Sequence, residues 1–214
     1  GLAANTTYRY RIRAQDAAGN KSQYSSIAAA TTSSSGGGPT LALSPTSGTF
    51  NVNDILTIQV ILDTKGAAVD GVDITYLNFN PVLLQVQDEN ASQSGIQIAP
   101  GALMPITVSN TANNTTGKIQ FSQVTSGGTT FTGQGTLATI RFKALAPTQV
   151  ANAFVTFNHT PGATNDTNVS SGGEDILASV TNGSYIITVP SDTTAPAPIA
   201  NLATSNPASN SLTL

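Results

Sequence analysis

The chain has 214 residues, enough for one large or two ordinary domains, and only 9% of them are charged while 39% are hydrophobic. Thr, Ser, Asn, Gly and Ala dominate, which suits strands and turns on a neutral polar surface better than helices held by charge pairs. The formal net charge is −3 and there is no Cys, so a disulfide framework, a thiolate metal centre and the broad basic surface of a nucleic-acid binder are all excluded.

From the N-terminus, residues 1–32 are basic, with Arg9, Arg11, Arg13 and Lys21 against Asp16. The three arginines alternate, which reads as one solvated strand face. Residues 33–39, Ser33-Ser34-Ser35-Gly36-Gly37-Gly38-Pro39, form a flexible Ser/Gly linker that cannot bury a face. A module of residues 40–189 follows.

Its first clear strand is Ile55 to Leu62, where Leu56, Ile58, Val60 and Leu62 share one face and Thr57 and Gln59 the other. In the segment Val72 to Phe79 the apolar parity switches, from even at Val72 and Ile74 to odd at Leu77 and Phe79. A strict two-residue repeat cannot bury all four, so a β-bulge is expected near Thr75-Tyr76, re-aiming Tyr76. Lys118 to Val124 begins with the same alternation, and Ala138, Ile140, Phe142 and Ala144 alternate with Thr139, Arg141 and Lys143. Gly127-Gly128, Gly133, Gly135, Gly172-Gly173 and Asn182-Gly183 punctuate the strands where the backbone turns. The pattern predicts an all-β protein, an antiparallel two-sheet sandwich or jelly roll. Its core is expected on the even-numbered faces of 56–62 and 138–144, with Phe121 and Phe142 among the larger buried rings. Residues 190–214 open with a stiff joint containing Pro190, Pro196 and Pro198. No apolar run is long enough for a membrane-spanning helix.

Chemistry-bearing residues are sparse. His159 is the one imidazole, at the exit of an apolar strand, and reads as a loop histidine rather than a catalytic base. No Gly-x-Ser-x-Gly elbow accompanies the abundant serines, and the acids are scattered over turns, so no catalytic residue is assigned. Asp166, Asn168, Glu174 and Asp175 could offer oxygen ligands to Ca2+ from one loop, although their spacing is not that of an EF-hand. Otherwise no cofactor is expected. Aromatic stacking on a glycan would fall to Tyr24 and Tyr76, because there is no Trp and the other tyrosines sit in strand patterns. Nine Asn-x-Ser/Thr triplets, from Asn5 to Asn182, follow from the Asn/Ser/Thr-rich composition.

Three blocks in the middle module resemble the cohesin family, jelly-roll domains of cellulosome scaffolds and bacterial surface proteins. They are Asn53-Asp54-Ile55-Leu56-Thr57-Ile58, the stretch from Gly71-Val72-Asp73 to Phe79-Asn80-Pro81, and the most specific, Gly135-Thr136-Leu137-Ala138-Thr139-Ile140-Arg141-Phe142-Lys143-Ala144. Between Gly71 and Pro81 the chain is one residue longer than the usual pattern, in agreement with the bulge read from parity. The flanks resemble partial fibronectin type III domains. Leu2-Ala3-Ala4-Asn5-Thr6-Thr7-Tyr8 and Arg11 to Asn20 are similar to such a domain's C-terminal part, in residues 1–32, and Ile199 to Leu202 with Ser211 to Leu214 to N-terminal strands, in residues 190–214. Each flank is too short for an immunoglobulin-like sandwich of roughly 100 residues, so each is expected to be completed by further chain or by another copy.

The resemblance implies a non-catalytic protein, extracellular or at the cell surface. The leading expectation is a structural or adhesive segment of a multidomain bacterial surface or fibre protein, its partner another protein or further copies of itself. The alternatives are a cohesin that captures a dockerin-type partner, with Asp73 on the partner-facing sheet and Tyr76 beside it, and a carbohydrate-binding module.

Overall fold

The computed structural model describes residues 7–31, 37–149, 151–191 and 195–197. Part of the fibronectin resemblance, residues 1–6 and 198–214, lies outside the described residues. In chain order the strands are β1 (Thr7–Tyr10), β2 (Ala28–Thr31), β3 (Thr40–Ser44), β4 (Ser47–Asn51), β5 (Ile55–Asp63), β6 (Gly71–Phe79), β7 (Leu84–Val86), β8 (Ala99–Pro100), β9 (Ile106–Asn113), β10 (Lys118–Val124), β11 (Gln134–Ala144), β12 (Ala153–Phe157), β13 (Asn168–Ser171), β14 (Glu174–Asp175), β15 (Ser179–Thr181) and β16 (Gly183–Thr188). No helix occurs among the described residues, and so none long and apolar enough to cross a membrane.

Among the described residues the first two strands pair only with each other, as an antiparallel hairpin with Tyr8 opposite Ala30. Its far end is the turn at Asp16, whose carboxylate accepts the N–H groups of Ala18 and Asn20, while Gly19 takes a positive φ of 89°. Ile12 and Ile27 are left 77% and 60% exposed.

The remaining strands build two sheets. One has eight strands, running β14-β13-β6-β12-β16-β4, with β10 on the other edge of β6 and β9 beyond it. The other has six, running β15-β3-β5-β11-β7, with β8 also on β11. The alternation of β5 and β11 does what its period requires. Leu56, Ile58 and Val60 are fully buried opposite Phe142, Ile140 and Ala138, Leu62 and Ala144 are fully buried further along the same two strands, and Phe121 joins this core from β10 with no exposure. Phe142 packs edge-on to Phe79 of the facing sheet, centroids 5.1 Å apart. Burying such a side chain contributes about 1.5–3 kcal/mol.

The bulge is where parity demands it. Ile119 of β10 faces Leu77 and Phe121 faces Ile74, so Thr75 and Tyr76 together oppose Gln120. Val72, Ile74, Leu77 and Phe79 are then all buried. At the same place β6 changes neighbour on its other edge, from β13 at Gly71–Asp73 to β12 at Leu77–Phe79. Two further register shifts were not legible in the sequence: one at Leu137 in β11, which lets Leu137 and Ala138 both turn inward, and one at Val108 in β9.

Asn182-Gly183, read as a turn, is instead a crossing between sheets. The chain leaves β15, paired in parallel with β3, and enters β16, paired in parallel with β4. Glycine is required there because a Cβ at 183 would strike the buried Tyr185 hydroxyl, which donates to the Pro45 carbonyl at 2.7 Å. Burial pushes the Tyr185 phenol up to about 12.

Candidate partner-binding face

The outer face of the eight-stranded sheet is open along β13, β6, β10 and β9. Cross-strand partners share a face, so the register assembles its rows. Asn168, Asp73, Ser122 and Ser109 form one row, and Ser170, Gly71, Val124 and Ile106 the next. Asp73 and Lys118 are the only charged side chains in these four strands.

The Val108 bulge gives this face its apolar component. Val108 is 65% and Ile106 44% exposed; Val108 lines a shallow depression beside Asp73, and Ile106 pairs with Val124 of its lining. The depression, about 300 Å³, is floored by Gly71, Val72 and Val124, with Asp73, Ser122 and Asn168 as its polar lining. These neighbours withdraw water from the Asp73 carboxylate and raise its pKa above the ordinary 3.8, a shift only partly offset by the Thr75 hydroxyl 3.5 Å away. A carboxylate so placed favours a partner that brings a hydrogen-bond donor.

Past the bulge lies a second cleft of about 320 Å³, where the Lys118 ammonium stands 4.2 Å above the Tyr76 ring, near Gln120 and Asn113. The structure thus brings Asp73 and Tyr76 onto one face but into separate depressions. Tyr24 lies elsewhere, on the N-terminal hairpin, with the guanidinium carbons of Arg11 and Arg13 at 4.0 and 4.8 Å from its ring centroid. Both candidate glycan platforms therefore have cations over their rings, which compete with a stacked sugar.

The four candidate calcium ligands do not act together. Asp175 Oδ1 accepts the N–H groups of Val169 and Leu177, both at 3.1 Å, and so holds the β13–β14 hairpin. Glu174 is exposed, whereas Asp166 is buried in the preceding loop with Asn168 at its end. Among the described residues no three His, Asp or Glu side chains gather around a common point. His159, partly buried in that same loop, has no nucleophile or carboxylate hydrogen-bonded to it. The sequence reading missed β9, and with it Val108 and Ile106. The Ile106-x-Val108 alternation is the signal that could have found them, but it is only two residues long.

The sequence matches the family model of the cohesin domain over residues 39–184. No curated protein matches the chain in sequence. Among solved structures, the chain is similar to the cohesin CaCohA2 of Clostridium acetobutylicum in solution, with a TM-score of 0.53 and 17% identity over 71% of this chain and 91% of that one. It is also similar to the third ScaC cohesin of Acetivibrio cellulolyticus, solved in complex with the ScaB dockerin, with a TM-score of 0.53 and 16% identity over 71% and 99%. A non-cellulosomal cohesin of the archaeon Archaeoglobus fulgidus aligns with a TM-score of 0.50 and 16% identity over 71% and 91%. The chain belongs to the cohesin domain family, whose members are non-catalytic protein-binding modules.

Proposed function

We propose that this cohesin module captures a dockerin-type protein on the β13–β6–β10–β9 face, outside the cell or at its surface. The observation that carries the reading is the exposed Asp73 carboxylate, the one acid on these four strands, which shares a depression with Val108 and Val124 and has the exposed Ile106 in the next cross-strand row. An acid amid apolar rim residues is the arrangement of an interface anchor, where a charged hydrogen bond gives specificity and the apolar residues exclude water. Tyr76 and Lys118 extend the same surface. Similar structures solved with dockerins support the partner class. Binding of a panel of bacterial dockerins to the wild type, Asp73→Asn and Val108→Asp tests it. Losing one charge-assisted hydrogen bond at Asp73 weakens binding by about 10- to 100-fold. Equal affinity in all three proteins would move the partner to another face.

A second reading, a structural or adhesive bead in a longer surface protein, is favoured by the Ser/Gly joint at 33–39 and by the N-terminal hairpin. That hairpin's exposed Ile12 and Ile27 suit packing against strands of a neighbouring domain or of another copy. Electron micrographs of tandem copies check it: filaments or arrays support the reading, and dispersed single beads that do not associate count against it.

A further inference from the structure

Among the described residues seven buried side-chain nitrogen and oxygen atoms have no hydrogen-bond partner, and five of them lie in one short stretch between β12 and the start of β13. They are both ring nitrogens of His159, Asp166 Oδ1, Thr167 Oγ1 and Asn168 Oδ1. Asp166 is only 4% exposed and Thr167 not at all. Leaving so many polar atoms unsatisfied would consume a sizeable part of a domain's marginal stability, so something supplies their partners.

The loop around these atoms is built, not slack. The Thr167 N–H donates to the Asn158 carbonyl at 2.9 Å, the Asn158 N–H to Tyr76, and the Ala163 N–H to Thr160. Asp166 Oδ2 accepts the Thr160 N–H, and the Asp166 carbonyl accepts the Thr75 hydroxyl at 2.6 Å. Asn168 spends its Nδ2 on the carbonyls of Asp166 and Thr164, which fixes its Oδ1 as the acceptor left over. The orphaned groups of three successive residues are thus a carboxylate oxygen, a hydroxyl and an amide oxygen. Among the described residues no Lys, Arg or His forms an ion pair with Asp166, and a buried carboxylate without a counter-charge is costly.

We propose that this loop binds one Ca2+ ion through Asp166 Oδ1, Asn168 Oδ1 and the Thr167 hydroxyl, with water completing the shell. Calcium is the cation that accepts one carboxylate among neutral amide, hydroxyl and water oxygens in irregular geometry. A single water could donate to only two of these acceptors and would leave the charge uncompensated. Glu174 and Asp175 are not ligands. The site pins the loop against the Thr75–Tyr76 bulge and so stiffens the edge of the binding face.

The test uses the full chain stripped with a chelator and then titrated with CaCl2, read by scanning calorimetry and by isothermal titration. Calcium at about a hundredfold excess over its dissociation constant raises the unfolding midpoint by about 5 °C or more. One equivalent binds, Asp166→Asn abolishes the response, and Asp175→Asn keeps it. No midpoint shift and no binding heat in the wild type would overturn the proposal, leaving only water in the loop. So would a response to ZnCl2 but not CaCl2 that is lost in His159→Gln, or a calcium response lost in Asp175→Asn but kept in Asp166→Asn.

Discussion

The Thr75 hydroxyl donates to the backbone carbonyl of Asp166 at 2.6 Å, 91 residues along the chain, and lies 3.5 Å from the Asp73 carboxylate. One side chain of the bulge therefore touches both the candidate binding anchor and the loop behind it. Thr75 keeps the outward parity of Asp73, and the extra residue re-aims Tyr76 beside it. Thr75→Val is expected to cost about 0.5–1.5 kcal/mol in urea unfolding, because Asp166 retains the Asn168 amide as a donor. Deleting Tyr76 is expected to leave the core intact, since removing the surplus residue brings Leu77 and Phe79 into the even parity of Val72 and Ile74 and lets a regular strand bury all four. Loss of cooperative unfolding in the deletion variant would contradict the bulge register.

Asp73 should cost the free module stability at neutral pH. Burial raises its pKa, so over the range just above 3.8 the folded state holds a proton that the unfolded state has released. Stability falls as pH rises through that range, and the penalty persists above it. Asp73→Asn is therefore expected to melt at a higher temperature than the wild type at neutral pH, with the two converging below 3.8. Thermal denaturation across pH checks this, and a variant less stable than wild type at neutral pH would reverse the sign.

Asp70 behaves in the opposite way. The Ser170 hydroxyl and the Gly172 N–H, each at 2.6 Å, hold its carboxyl below the usual value, the hydroxyl contributing most. The stabilisation is present above 3.8 and is lost as pH falls through the lowered value. Asp70→Asn should loosen β13 and β14 specifically, read as faster amide hydrogen exchange in Val169 to Asp175 with the β5–β11 core unchanged.

Phe142→Ala is expected to destabilise the module by about 3–5 kcal/mol, because its ring is fully buried against Phe79 and leaves a cavity between the two sheets. A loss below about 1 kcal/mol in chemical denaturation would show that the core closes over the gap.

Gly117→Ala probes a turn that the sequence reading did not mark. Gly117 has φ +67°, and a Cβ there would meet the Phe79 carbonyl and stand 2.9 Å from Pro81 Cδ. Its N–H and carbonyl bond Asn113 and Phe79. The substitution therefore combines a left-handed backbone with a clash against main chain, and should lower stability by about 1–3 kcal/mol.

By itself the sequence determined the class of fold, the inward faces of β5 and β11, and the bulge at Thr75-Tyr76, because burial on a pleated strand has a period of two and any break in it must be absorbed by the backbone. Three motif blocks were enough to point to the cohesin family. Tertiary structure alone decided what lies beside what. Asp73 became a candidate anchor through Val124 and Val108, 51 and 35 residues further along, which only the pairing of β6, β10 and β9 brings to its side. Asp175, indistinguishable in sequence from a metal ligand, turned out to hold the β13–β14 hairpin, while Asp166 nearby kept an oxygen unsatisfied. Local pattern encodes which face of a strand is buried, but hydrogen-bond satisfaction and desolvation depend on neighbours supplied by distant chain, and those are set only when the sheets close.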